Sequence, residues 1–435
     1  MQRESAKLAI VAPSAYPLGG VQVWLDYLVP GLEKAGWEVD VVLVDGKKND
    51  AQGYLQIHPF ARSHLATYAT GTPEGRVRTL TRTLRAVQPD LVLAVNIVDT
   101  FEAVERLRAG GMPQLKVAMA LHGLDASFYQ DLKLLAPIVD GAIATNRLAA
   151  MAAIRYSGIA RDRSFYAACG VPIPTIPIGI QPEDRLNLLF AGRFELVEKR
   201  VMDLPRILDA LASMNLDFKL RIAGSGPAEE ELRRELARFA DKVDFSGVLT
   251  AAQMRDSFFR MGDLLLVMSP METGPLVAWE AMASGAAVVS SRFIGIGLEA
   301  GLVNGENCAT FPIGDIQGAA TAIAQLRDPA TRLRIIRRAK ETVTAKYSQA
   351  HSTASWDAAL RAILRLPRLP SRTVQFPMRK PGRLERLIGK QIAETGRERL
   401  GFQYQHAEAG GEWPHTFGLP TDVNFTGLLN RLDKP

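Results

Sequence analysis

Short runs rich in aliphatic and β-branched residues alternate with helix-patterned stretches along most of this chain, and the series occurs twice. KLAIVAP, EVDVVLVD, DLVLAV, LKVAMALHG and GAIATN are separated by helical patterns near Val21–Ala35, Val77–Val87 and Phe101–Ala109. Such alternation is the sequence form of βαβ units, because parallel neighbours need a crossover long enough to hold a helix. The series stops at CGVPIPTIPIGIQPEDR, residues 169–185, where prolines and glycines concentrate. It then restarts with LNLLFAGR, FKLRIAGSGP, KVDFSGV, DLLLVMS and AAVVSS. The expected architecture is α/β, with two Rossmann-like domains facing across a cleft, at residues 1–168 and 186–347, joined by the linker 169–185. A helix over Pro329–Ala345, with Asp328 as its N-cap, closes the second half. Residues 348–435 read as a C-terminal extension holding one helical segment, Arg383–Thr395.

Composition narrows the class. A chain of 435 residues with 47% hydrophobic and 23% charged residues has material for two full cores. Cys169 and Cys308 stand far apart in no metal-ligand spacing, which points to a reducing, cytoplasmic setting. No signal-peptide pattern and no apolar stretch near the ~20 residues of a membrane span is apparent. The net charge of +6 is concentrated in residues 361–400, where eleven Arg and Lys face three Glu.

Ligands of open parallel sheets bind at the carboxyl ends of the strands, so charged residues in those loops are the candidates. FAGRFELVEKR leaves a strand with Arg193 and supplies Lys199 six residues later. A planar fork and a point charge together suit adjacent phosphates, although two solvated cations would read the same way. RIAGSGP is a strand followed by a tight turn, where Gly224 and Gly226 let the backbone approach an anion or a base edge. The dinucleotide fingerprint is incomplete there, because Glu229 stands at its third glycine. In METGPLVAWEAMASG, Pro275 suits the first position of a helix whose free N–H groups would face an anion beside Glu272 and Gly274. Glu280 lies in that helix among Ala278, Trp279, Ala281, Met282 and Ala283, where an unpartnered carboxylate would be costly. Two carboxylates accept hydrogen bonds from several hydroxyls of a polyol. Together with the cations they suit a nucleotide sugar.

In that order, the GR…K pair, IAGSGP and SPMETGPLVAWEAMASGAAVV resemble the retaining glycosyltransferases of family 4, also called group 1, over roughly residues 8–347. The resemblance implies the two-domain glycosyltransferase-B (GT-B) fold. It implies that Glu280 holds the ribose hydroxyls, that Glu272 and nearby amides hold the donor sugar, and that Gly224, Gly226, Gly274, Pro275 and Leu276 line the donor site. YPLGGVQVW resembles the family's glycine-rich loop, placing Gly19 and Gly20 at the donor diphosphate. ALHGL resembles its histidine loop, placing His122 near the scissile sugar. Gln22 departs from the acidic residue common after the glycine pair, SSRFIGIGLEAGLVNG matches only loosely, and nothing after about residue 360 matches.

The implied activity moves a hexose-type sugar from a nucleoside diphosphate to a hydroxyl of a glycan or lipid-linked acceptor, with retention, as in polysaccharide assembly. Arg193, Lys199, the Gly19–Gly20 amides and the helix end at Gly274 would stabilise the leaving diphosphate. The nucleotide sugar is substrate; no cofactor and no metal is expected, there being no Asp-x-Asp pair. A hydrolysing or epimerising sugar-nucleotide enzyme, a sugar phosphorylase, a non-catalytic scaffold and, least favoured, a nicotinamide dehydrogenase are the alternatives. Arg78, Arg82 and Arg85 form a stripe beside Val77, Leu80, Leu84 and Val87, and RKPGRLERLIGK repeats a basic and apolar pattern. Together they suggest an anionic membrane surface as partner at the inner face of the membrane, and no nucleic acid.

Overall fold

The computed structural model describes residues 5–13, 20–44, 51–68, 70–175, 185–260, 263–369, 374, 376, 382–402 and 422–434. The chain divides into two compact units: Met1–Ala167 with Ala354–Leu432, and Ala168–Thr353 with Asp433–Pro435.

The first unit is built on seven strands, β1 (Ala6–Pro13), β2 (Trp37–Val44), β3 (Ser63–Ala66), β4 (Leu91–Val95), β5 (Lys116–Leu121), β6 (Gly141–Ala144) and β7 (Ser164–Tyr166). Their order is β3-β2-β1-β4-β5-β6-β7 and every pairing is parallel. Leu8–Ala12 and Leu91–Val95 are fully buried, as expected of strands covered on both faces by crossover helices. The edge strands β3 and β7 escaped the sequence reading because they are short and only partly buried. The helix expected near Val77 begins at Pro73 instead, since the Thr72 side chain accepts the Gly75 N–H and Pro73 supplies the first helical dihedral.

Much of the stretch after residue 348 belongs to this unit's core. The helix Gln349–Arg365 places Trp356, Leu360 and Ile363 fully inside. Gly141 is glycine because the Ile363 side chain fills the space of a Cβ. Lys116 Nζ donates to the Leu366 carbonyl at 3.0 Å, and Arg163 donates to the Pro367 carbonyl at 2.9 Å. The single helix expected over Arg383–Thr395 is two, Arg383–Ile388 and Lys390–Arg399, because Gly389 takes a positive φ of 80° and breaks the ladder. The second of these packs on the helix Pro73–Val87, with Glu394 buried against Thr70 and Arg397. The helix Phe425–Leu432 packs on the helix Arg147–Arg155, with Phe425 4.8 Å from the Tyr129 ring.

The second unit holds six parallel strands, β8 (Leu186–Ala191), β9 (Phe218–Ala223), β10 (Val243–Gly247), β11 (Leu264–Val267), β12 (Ala287–Ser291) and β13 (Ala309–Phe311), in the order β10-β9-β8-β11-β12-β13. Leu188, Leu220, Leu264 and Val289 meet Leu208, Leu211, Ile323 and Ile336 from the covering helices in one continuous core. Asp328 caps the helix Pro329–Lys346 by accepting from the Thr331 N–H at 2.9 Å, as its sequence implied. Both sheets are doubly wound.

Candidate active site

Strand order decides where a ligand can sit in the second unit. From β8 the chain moves outward to β9 and β10, then returns to β11 on the other side, so the loops after β8 and β11 diverge and leave a crevice at the carboxyl edge. The first of those loops carries Arg193 and Lys199, and the second carries Glu272 and Gly274. Lys199 Nζ donates to Glu272 Oε1 at 2.6 Å across this switch point, with both side chains largely buried. The Glu272 loop is tied to the loop after β12, because the Ile294 N–H donates to the Pro270 carbonyl and the Glu272 N–H to the Ile294 carbonyl. Arg193 is half exposed and pairs with the exposed Glu198, with Glu195 at 3.7 Å. Such an open pair holds by less than about 1 kcal/mol, so a dianionic ligand can take the guanidinium over.

The glycine turn after β9 has a packing role. A Cβ at Gly224 would lie 1.9 Å from the Gly192 carbonyl oxygen, and one at Gly226 would lie 2.5 Å from the Phe194 nitrogen. The two loops share backbone bonds, Gly192 N–H to the Ala223 carbonyl and Phe194 N–H to the Ser225 carbonyl. The Gly224 N–H donates to the Gly247 carbonyl at 2.8 Å, which corrects the expectation that this amide faces an anion. Gly224 and Gly226 thus bring Arg193's loop to its place by close backbone contact.

Gly274 adopts φ 144°, and the helix that follows runs Leu276–Ala283. Pro275 is its cap residue, one position earlier than expected, with φ −70° and ψ 92°. The Leu276 side chain is buried, so contact with a ligand from this residue would come through its backbone. Ala278, Trp279, Ala281, Met282 and Ala283 are buried while Glu280 is only partly so. Glu280 and Val277 therefore form the partly open strip of this helix. Trp279 stacks on Tyr347 at 4.0 Å with the rings 3° from parallel, and the Tyr347 hydroxyl donates to Glu299 Oε1 at 2.8 Å. Gly301 leaves room for that stack, since a Cβ there would sit 2.4 Å from the Tyr347 hydroxyl. The sequence reading missed this buttress. Its signal was a tryptophan beside the glutamate on a small-residue helix.

In the first unit Gly20 opens the helix Gly20–Lys34 beyond β1, and Gly19 lies outside the described residues. His122 follows β5 directly. Its ring meets Trp24 edge to face at 4.4 Å and lies 6.2 Å from the Trp356 ring, nearly parallel to it. Burial pushes its pKa down to about 3, so the imidazole is neutral at ordinary pH. Nothing local to His122 pointed to Trp24 or Trp356 as its neighbours. No three His, Cys, Asp or Glu side chains among the described residues are placed to hold a metal ion.

The two parallel, doubly wound sheets agree with comparison to known proteins. The family model described as Glycosyltransferase Family 4 matches residues 18–173, and the one described as Glycosyl transferases group 1 matches residues 185–328. The chain belongs to the family 4, group 1 glycosyltransferases. A glycogen synthase of Mycobacterium tuberculosis (strain ATCC 25618 / H37Rv) is 32% identical over 180 residues, covering 40% of this chain and 42% of that protein. A D-inositol 3-phosphate glycosyltransferase of Pseudarthrobacter chlorophenolicus is 30% identical over 224 residues, covering 45% of this chain and 50% of that protein. The chain thus spans half or less of the curated relatives it matches. Among solved structures, Anabaena HepE in complex with UDP-glucose superposes with a TM-score of 0.64 at 18% identity, covering 82% of this chain and 99% of that one. The lipopolysaccharide outer core galactosyltransferase WaaB gives 0.63 at 17% identity, covering 82% and 99%. These likenesses establish the GT-B class of fold for a family 4 chain.

Proposed function

We propose that this family 4 chain is a retaining glycosyltransferase that moves a hexose from a nucleoside diphosphate to a hydroxyl of a glycan or lipid-linked acceptor. The observation that carries the reading is the Lys199–Glu272 pair across the switch point, with Glu280 on the helix that follows. In this mechanism the anomeric C–O bond to the diphosphate breaks, a C–O bond to the acceptor forms on the same face, and the acceptor proton passes to a departing phosphate oxygen. Arg193 and Lys199 neutralise the charge that grows on the diphosphate, and each donor aimed at such charge is worth about 3 kcal/mol. Glu272 holds Lys199 and sugar hydroxyls, Glu280 holds the ribose, and the N–H groups at the start of the helix Leu276–Ala283 face phosphate. The relatives support a uracil nucleotide as donor, since HepE is solved with UDP and with UDP-glucose. Two buried free thiols, Cys169 and Cys308, support a reducing, cytoplasmic address.

A thermal-shift screen of nucleotide sugars tests this, because a ligand at 100 times its dissociation constant adds about 2.7 kcal/mol to folding. One uridine or guanosine diphosphate sugar is expected to stand out, followed by product bearing the sugar only when acceptor is supplied. Release of free or epimerised sugar without acceptor would reassign the chain to a hydrolysing or epimerising enzyme. Consumption of glycan with inorganic phosphate would make it a phosphorylase, and stabilisation by no nucleotide would leave a scaffold.

A further inference from the structure

Six of the fourteen large apolar side chains exposed among the described residues fall in one stretch of the C-terminal region, Leu384, Leu387, Ile388, Ile392, Leu400 and Phe402. Leu387 is 82% exposed and Leu400 75%. Such concentration is unlike the scattered apolar residues of an ordinary surface. In the helix Arg383–Ile388, Leu384, Leu387 and Ile388 stand at i, i+3 and i+4 and so share a face. In the helix Lys390–Arg399, Ala393 and Glu394 are buried, and Ile392 and Arg399 occupy the opposite side.

Charge is sorted in the same way. Every acid of the stretch is engaged: Glu385 and Glu394 with Arg397, and Glu398 with Arg78. Lys390 is likewise taken by Glu102 at 2.7 Å. Arg383, Arg386 and Arg399 are exposed and form no ion pair with another described residue. Of the arginine stripe that the sequence placed on the helix Pro73–Val87, Arg82 and Arg85 are exposed, and Arg78 is covered. Arg78 donates to Thr395 at 3.0 Å and to the Gln391 carbonyl, so that helix lies under the one that bears Ile392. Arg379 and Lys380 lie outside the described residues.

We propose that the paired helices 383–388 and 390–399 with Leu400 and Phe402 dock this protein on an anionic lipid bilayer. The apolar side chains enter the headgroup boundary, and Arg383, Arg386 and Arg399 meet lipid phosphates. Exposed apolar area joined to unpaired basic charge, with no acid left over, fits a negatively charged apolar surface better than an acidic soluble partner, which would leave Leu387 and Leu400 in water. Membrane contact here is reversible and peripheral, and among the described residues no helix is long and apolar enough to cross a membrane.

The test is sedimentation of the full chain with phosphatidylcholine vesicles, with and without phosphatidylglycerol, at low and high salt. Binding is expected only with the anionic lipid, falling as salt rises. Leu387→Asp should weaken partition about tenfold, since a leucine leaves the apolar layer. Arg386→Gln and Arg399→Gln should each weaken it about fivefold at low salt. Far-UV circular dichroism and the melting temperature are controls. If Leu387→Asp does not fold, the arginine pair decides alone. Absence of binding to anionic vesicles, or equal binding of wild type and these variants, overturns the proposal. A concentration-dependent dimer in light scattering that Leu387→Asp abolishes also overturns it, by assigning the surface to a second copy.

Discussion

The Lys199 ammonium meets the Glu272 carboxylate at 2.6 Å over the point where the second sheet's strand order reverses. The pair sets the cation at the place where a doubly wound sheet receives an anion. Lys199→Met should therefore lower kcat/KM for the donor about a hundredfold, in line with loss of one donor to developing charge. It should weaken affinity for free nucleoside diphosphate by much less. Stability should fall by about 1–3 kcal/mol, because the pair is largely buried and the substitution leaves the Glu272 carboxylate without this cation. Steady-state kinetics beside calorimetry of the nucleoside diphosphate makes the comparison. Equal losses in both would reduce Lys199 to a ground-state contact.

Gly224 and Gly226 separate packing from ligand binding. Alanine at either position drives a methyl group into the backbone of the loop after β8, and Gly224 also has φ 131°. Each substitution should destabilise the second unit by roughly 2–5 kcal/mol from overpacking and strain. Urea titration followed by a probe in that unit measures this. A fully stable Gly224→Ala protein would mean that the loops do not meet as described.

His122 ties stability to pH. An imidazole held at a pKa of about 3 in the folded chain titrates near 6.5 once unfolded, so the unfolded state takes up protons that the native state refuses. The contribution is complete above pH 6.5 and is lost as pH falls toward 3. At pH 5 the loss is about 2 kcal/mol. His122→Gln should remove that part of the acid sensitivity, so the stability difference between wild type and variant should narrow or reverse between pH 8 and pH 5. Parallel pH profiles from urea melts would show that His122 protonates freely in the fold.

Trp356 tests how the C-terminal region belongs to the first unit. It is fully buried and lies 4.9 Å from Trp24, with its ring facing His122. Trp356→Ala should cost about 3–5 kcal/mol, the usual price of emptying a buried indole site. A Tm lowered by only a degree or two would place it at a surface.

These cases show what the sequence could and could not express. The doubly wound sheets were legible because strands such as Leu8–Ala12 and helices such as Pro329–Lys346 advertise themselves by local period, cap and proline. The members of the candidate site were legible as types of residue at loop positions. Their pairing was not, since Lys199 and Glu272 stand 73 residues apart and nothing local to either names the other. The C-terminal region was least legible. Trp356 and Ile363 look like one face of any amphipathic helix, and the partners that give them meaning, Trp24, His122 and Gly141, come from the chain's first third. The pairing of Arg78 with Thr395 likewise turns one member of a stripe that looked exposed into an internal contact, while Arg82 and Arg85 stay at the surface.

Glu280 and the Trp279–Tyr347 stack beside it make the most discriminating pair of variants. Glu280→Gln keeps volume on the open strip of the helix Leu276–Ala283 and removes the charge that strengthens bonds to ribose hydroxyls. It should weaken donor binding by roughly 1.5–3 kcal/mol at unchanged Tm. Tyr347→Leu removes the stacked ring and the hydrogen bond to Glu299, leaving the helix without its buttress. That variant should lower stability by about 2–4 kcal/mol and weaken donor binding only as far as the helix shifts. Calorimetry with the donor found by the screen, set beside thermal melts of both variants, separates contact from support. Donor affinity that falls for Tyr347→Leu but not for Glu280→Gln would assign the ribose to another group and leave Glu280 as a surface acid, since an amide in its place costs nothing only if no hydroxyl depends on its charge.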